Sequence, residues 1–193
     1  MNTPPQSDPI SDQYLAIATG DMDAARRAVS LDWRNREAAG EAPAAREGGP
    51  IGLAVTVAWL RSAFSDISFD EIERLTDGNI VISRVMFSAR QTGPFVLFGD
   101  DDRASAVFPP TGRKFSVEQI HRHELRNGEV VGHLARRDDL GMMEQLGHLP
   151  PSPRSMLRML GWALTGMSRR AASHAVAVGE QAAAHMTERL AAE

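Results

Sequence analysis

Apolar and polar residues follow two different rhythms along this chain. From Ile51 to Phe64, Leu53, Val57, Leu60 and Phe64 recur at helical spacing, which predicts an amphipathic helix. Two shorter helices are expected ahead of it, Ser11 to Ala18 and Asp21 to Val29, parted by Gly20 and N-capped by Ser11 and Asp21. Residues 1 to 10, polar and Pro-rich, read as a disordered lead. Beyond Asp66 the rhythm becomes that of strands. Ile67, Phe69, Ile72 and Leu75 predict one strand, Asp77-Gly78 a hairpin turn, and Asn79 to Arg90 a long second strand. A short apolar run, Phe95 to Phe98, precedes an acidic loop from Asp100 to Arg103. Pro109-Pro110-Thr111-Gly112 is a rigid turn into a strand from Arg113 to Leu125, and Asn127-Gly128 leads to a last strand, Glu129 to Arg137. A short helix, Asp139 to Leu146, is expected to stop at Gly147.

Helices first and an antiparallel sheet second is an α+β order. The expected organisation is a lead at 1–10, a folded domain at 11–150 and a helical extension at 151–193. In that extension Arg154 to Arg170 and Ala171 to Leu190 read as helix, expected to rest on the domain or on a second subunit. A lesser alternative is attachment to an anionic membrane surface through Arg154, Arg158, Arg169 and Arg170.

Composition narrows the chemistry. A net charge of -4 over 193 residues argues against nucleic acid as a partner. Lys114 is the single lysine, so the positive charge is almost wholly arginine, read as coding bias and not as a phosphate surface. With no cysteine, disulfides, thiolate metal sites and cysteine nucleophiles drop out. Neither a signal-peptide pattern nor a run of about 20 apolar residues occurs, and a cytoplasmic protein is expected. No P-loop, dinucleotide fingerprint or G-x-S-x-G element is present.

Three of the six histidines, His121, His123 and His133, fall in one predicted hairpin. A two-residue Asn127-Gly128 turn would put His121 and His133 on opposite faces. A three-residue loop, Arg126-Asn127-Gly128, with Gly128 left-handed would place His121 opposite His133 and Gln119 opposite Ala135. The longer loop is the expectation. It gathers Val117, Gln119, His121, His123, Leu125, Val131, His133, Ala135 and Arg137 on one face, as a pocket wall requires.

The same residues carry a resemblance. Trp59 to Phe64 with Asp66, the Pro110-Thr111-Gly112-Arg113 turn, Gln119-Ile120-His121, Asn127-Gly128-Glu129-Val130, His133, Asp138 and Leu140 to Gly147 resemble, in order and spacing, the SnoaL-like polyketide cyclases. Asp32-Trp33-Arg34-Asn35 is a weaker match to an early pocket segment. The resemblance covers Tyr14 to Pro150. It implies a nuclear transport factor 2-like cone, commonly dimeric, that closes a polyketide ring by an intramolecular aldol reaction without metal or organic cofactor. The family's acid/base aspartate, two residues beyond the strand histidine, corresponds here to Ala135.

An aldol closure needs a base at a carbon beside a carbonyl and donors for the enolate. His121 and His133 suit the base, with an ordinary histidine pKa of about 6.5. Asp138 could replace the missing aspartate only by pointing inward. Gln119, Asn35, Trp33, Arg137 and Phe87 are the expected substrate-binding residues, Arg137 as an anion anchor or a partner for Asp138. His123 reads as an ordinary sheet residue, and His148, His174 and His185 as solvated. No metal is expected, because two cross-strand histidines with Gln119 and Asp138 make an incomplete ligand set. Two rival readings stand beside the cyclase: a small-molecule-binding or dimerising module that lost its acid/base group, and a hydroxylase or hydrolase on the same scaffold.

Overall fold

The structure, a computed structural model, describes residues 8–192, and all that follows concerns those residues. Most of the expected disordered lead therefore lies outside the described residues. Its last part is helical: α1 spans Pro9–Thr19, capped by Asp8 and not by Ser11. The cap moves because the Asp8 carboxylate reaches the amides of Ile10 and Ser11, while Pro9, having no amide hydrogen, suits the first helical position. Asp21 caps α2, Met22–Ala28, as its spacing implied.

The next stretch was given no element by its sequence pattern. It forms β1, Val29–Asn35, which lies parallel to the last strand and sets Asn35 opposite His133. Helix α3, Gly49–Ala63, follows. The long strands β2, Phe64–Asp77, and β3, Ile80–Gln91, pair antiparallel, and a short hairpin of β4, Phe95–Phe98, and β5, Ala104–Phe108, stands apart from the main sheet. Strands β6, Lys114–Arg126, and β7, Glu129–Arg137, complete a sheet in the order β1-β7-β6-β3-β2. One face of β6 is buried at Phe115, Val117, Gln119, His121 and His123, while Lys114, Ser116, Glu118 and Ile120 face outward, the alternation of a half-covered strand. Helices α1 to α3 cover the inner face, and an aromatic seam fills the join. Phe69 stacks between Tyr14 and Phe87, with ring centroids 4.9 and 4.8 Å away. Between β3 and β4 the chain passes so close to α3 that a side chain at Gly93 would strike the Ser62 carbonyl.

Helix α4, Asp139–Leu146, ends at left-handed Gly147 as expected. The extension is broken earlier than its sequence pattern suggested. Helix α5, Pro153–Leu164, stops at Thr165-Gly166, and α6, Met167–Ala191, runs back along α3. Small residues permit that approach: Ala171, Ala175 and Gly179 are buried, and Gly179 lies against Ala42 and Val55. No described helix is long and apolar enough to cross a membrane.

Candidate active site

The β6–β7 hairpin places the histidines by a route the sequence reading had reversed. The turn is tight: Arg126 pairs with Glu129, and Asn127 and Gly128 both take positive φ, 54° and 83°. That is the two-residue hairpin geometry Asn-Gly favours. A bulge follows at Val131, between the pairs Leu125–Val130 and Glu124–Gly132. The extra residue restores the parity that the tight turn alone would have inverted. His123 is therefore opposite His133, His121 opposite Ala135 and Gln119 opposite Arg137. Val130, not Val131, is the buried valine. The expected loop and pairings are thus corrected, while His121 and His133 still share the inner face.

That face lines a cavity of about 230 Å³ between the sheet and helices α1 and α3. Of the residues singled out from sequence, His121, His133, Gln119, Asn35, Trp33, Arg137 and Phe87 line it. Asp138 does not. It caps α4, accepting from the Gly141 amide at 2.8 Å, because a helix start beside it offers unpaired amides. Nor does Arg137 partner Asp138; its guanidinium lies 3.6 Å from Glu37 and 3.5 Å from Asp139. His148 is buried and 3.0 Å from Gln91 Oε1, not solvated, because the loop after α4 folds back against β3.

The polar groups form one connected chain whose direction can be worked out. Asn35 Oδ1 accepts from the Glu37 amide at 3.0 Å, which fixes that end of the side chain as oxygen. His133 Nδ1, 3.0 Å from the same oxygen, must then carry a hydrogen. In a neutral ring His133 Nε2 is an acceptor, so His121 Nδ1, 2.9 Å away, donates to it. His121 Nε2 is left with a lone pair on the cavity side. Gln119 Oε1 lies 3.0 Å from that nitrogen. A half-turn of the amide presents NH2 to the neutral ring, and the oxygen suits the ring once protonated.

Neutrality of the rings follows from their surroundings. Burial, with the charge of Arg137, pushes His121 down to about 4. Burial and neighbouring His121 push His123 down to about 3. Burial and the other two histidines hold His133 well below the ordinary value. His123, read from sequence as an ordinary sheet residue, is wholly buried, 3.4 Å from the Tyr14 hydroxyl, and its Nδ1 has no partner. Nitrogens of His121, His123 and His133 lie within 4.8 Å of one another, so a third imidazole completes the donor set that the sequence reading had judged too small for a metal. In the structure two of those rings spend their facing nitrogens on each other.

At its other end the chain reaches a residue the sequence reading missed. Asn35 Nδ2 donates to Glu41 Oε1 at 3.1 Å, and Thr56 Oγ1 lies in short contact with Glu41 Oε2 and 3.2 Å from the Gly52 carbonyl. Glu41 is 3% exposed, and burial raises its carboxyl above the usual range. Both of its oxygens accept from protein donors, Oε2 from the Thr56 hydroxyl and Oε1 from the Asn35 amide. Glu41 lines the cavity, within a loop rich in Ala, Gly and Pro where no sequence pattern marks a buried acid. Glu37 Oε1, beside Ala135, accepts from its amide at 3.4 Å.

Fold and site together define a class: a cone with an apolar cavity whose wall carries buried histidines and a buried carboxyl. The comparisons agree. The sequence pattern of SnoaL-like polyketide cyclases matches residues 10–146, and the chain belongs to that family. Aklanonic acid methyl ester cyclase DnrD of Streptomyces peucetius is 32% identical over 149 residues, 77% of this chain and 94% of that protein. The structure of TsrD from Streptomyces laurentii superposes with a TM-score of 0.60 at 25% identity, covering 73% of this chain and 93% of TsrD. A Catenulispora acidiphila protein of ketosteroid isomerase-like fold gives a TM-score of 0.53 at 11% identity, covering 76% and 95%, a likeness of fold alone.

Proposed function

We propose that this chain is a cofactor-independent cyclase closing a ring in a small, largely apolar carbonyl compound by intramolecular aldol reaction, with a polyketide methyl ester of the aklanonic type as substrate. What carries the reading is the one-way hydrogen-bond chain that leaves a lone pair on His121 Nε2 inside an apolar cavity. His121 takes a proton from the carbon beside a carbonyl, and His133 Nε2 supports the imidazolium through the existing bond. Gln119, whose NH2 holds that lone pair in the empty site, turns as substrate enters: the NH2 passes to the substrate oxygen that becomes the enolate, and the amide oxygen accepts from the new imidazolium. The Trp33 indole N–H, buried in the cavity wall without a protein partner, is a second donor for a substrate oxygen.

The enolate carbon bonds to the ketone carbon, and the displaced π pair becomes an alkoxide. Glu41 gives that oxygen its proton, doing from the β1–α3 connection what the resemblance assigns to an aspartate at the position of Ala135. Exposed Ile72, Leu75, Ile82 and Ile120 on the outer sheet face support a homodimer through that face. Ala135 is the one observation favouring a non-catalytic binding module.

The test is incubation of the purified chain with aklanonic acid methyl ester, following appearance of a ring-closed isomer of equal mass. Turnover lost in His121→Ala with binding retained is the expected result. Tight binding of the ester by the unaltered chain with no isomer formed would leave the binding module standing.

A further inference from the structure

Helix α5 is amphipathic, yet its apolar side is turned away from the protein. None of its residues is buried; Met156, Leu157, Leu160 and Leu164 are 59%, 70%, 54% and 78% exposed. These four fall on one side of the helix, with Met159 and Ala163 beside them, whereas Ser155 and half-buried Trp162 lie on the opposite side. Between Glu144 and Glu180 there is no acidic residue and there are four arginines, Arg154, Arg158, Arg169 and Arg170, in a chain whose net charge is -4. Beside the helix lies a groove of about 250 Å³ walled by Arg113, Arg154 and Arg158 with the hydroxyls of Thr111, Ser152 and Ser155. The three hydroxyls are spent within the protein, Thr111 on Gln91 and the two serines on each other, so the groove offers a ligand its guanidinium groups, which suit phosphate-like oxygens.

We propose that α5 and this groove dock the protein on an anionic phospholipid surface. The leucine and methionine side chains enter the boundary between headgroups and acyl chains, and the arginine groove takes a lipid phosphate. A second copy of the chain fits less well, because two such segments would bring eight arginines together with no acid of their own to offset them. The membrane supplies both halves of the match, apolar depth and negative charge. A helix of this length lies in the interface; it does not span.

Flotation of the full chain with vesicles tests this, comparing phosphatidylcholine alone with phosphatidylcholine containing about one-third phosphatidylglycerol. Binding is expected only to the anionic vesicles, weakened at least about tenfold by high salt or by Arg154→Gln with Arg158→Gln. Leu157→Glu with Leu160→Glu should abolish it with an unchanged melting temperature, since both side chains are already in water. Equal binding to both vesicle types, or none to either, overturns the proposal. So does a dimer in sedimentation that the leucine double variant splits while vesicles stay unbound. Stabilisation by inorganic phosphate with no vesicle binding overturns it too, assigning the groove to a soluble anion. None of these readouts depends on turnover.

Discussion

His121 and His133 are not opposite each other on the β6–β7 ladder, yet their rings meet nitrogen to nitrogen at 2.9 Å. His121 faces Ala135, whose methyl group leaves the space through which the two imidazoles reach diagonally. A larger residue at 135 would crowd that contact, and the pair works as one unit.

His121→Ala should therefore lower kcat by about 10²–10⁴ with little change in KM. His133→Leu should lower it less, because the base survives but its imidazolium loses an acceptor. Steady-state kinetics with the cyclised product as readout checks both. In the unaltered chain the rate needs His121 unprotonated, so kcat should rise from acid to a plateau above about pH 5, following the value of about 4.

Glu41→Gln keeps the bond to Asn35 and the shape of the site but removes the acidic hydrogen. A fall in kcat of about 10²-fold at nearly constant KM is expected. Single-turnover measurements that show Glu41→Gln as fast as the unaltered chain would remove Glu41 from the reaction.

The buried histidines make stability depend on pH in a direction that can be worked out. Their folded values lie below the ordinary 6.5, so the unfolded chain takes up protons that the folded chain refuses. Stability is complete above about pH 6.5 and falls as pH drops toward 4, by up to about 1.4 kcal/mol per pH unit for each such histidine. Glu41, with its raised carboxyl, tilts the opposite way above about pH 4.5. Urea melts between pH 7 and 4.5 should show a steep fall, shallower in His123→Gln once its change at pH 7 is subtracted.

Deleting Val131 removes the bulge while the tight Asn127-Gly128 turn remains. His133 should then move to the outer face. The variant should lose several kcal/mol, in line with stranding a wall of buried polar groups. His133 should also become reactive toward an imidazole-acylating reagent, read by mass spectrometry.

Asp138→Ala should cost about 1 kcal/mol through the lost helix cap and leave kcat unchanged. A large loss of kcat would return Asp138 to the reacting groups.

How much the sequence reveals differs between elements for physical reasons. Strands β3 and β6 were legible because one face of each is buried, which writes a period into the residues, and α3 through its long apolar run, since it is buried on all sides from Gly52 to Val57. The seven pocket residues named from sequence do line the cavity; Gln119, His121, His133 and Arg137 followed from strand parity, whereas Trp33 and Asn35 came from the family resemblance alone. The turn was not legible, because a bulge at Val131 and a longer loop at Arg126 put the residues beyond the bulge on the same face and differ only in which partners they meet. Strand β1 was missed because its Leu31, Asp32 and Arg34 are exposed, and β5 because its burial alternates poorly. Glu41 was missed for a deeper reason. Nothing in a single acid among alanines tells that Thr56 and Asn35, each distant in sequence from one another, will close over it.

Asn35 joins the two ends of the site, and it does so with an amide. Its NH2 binds Glu41 and its oxygen binds His133, so it orients both. An amide nitrogen is too weak an acid to pass a proton along, which makes Asn35 an insulator in an otherwise continuous wire. On the proposed mechanism, the charge separated between His121 and Glu41 in one cycle cannot cancel through the protein interior. Water entering after product leaves must reset both termini, which ties the pace of repeated turnover to how freely the mouth of the cone refills.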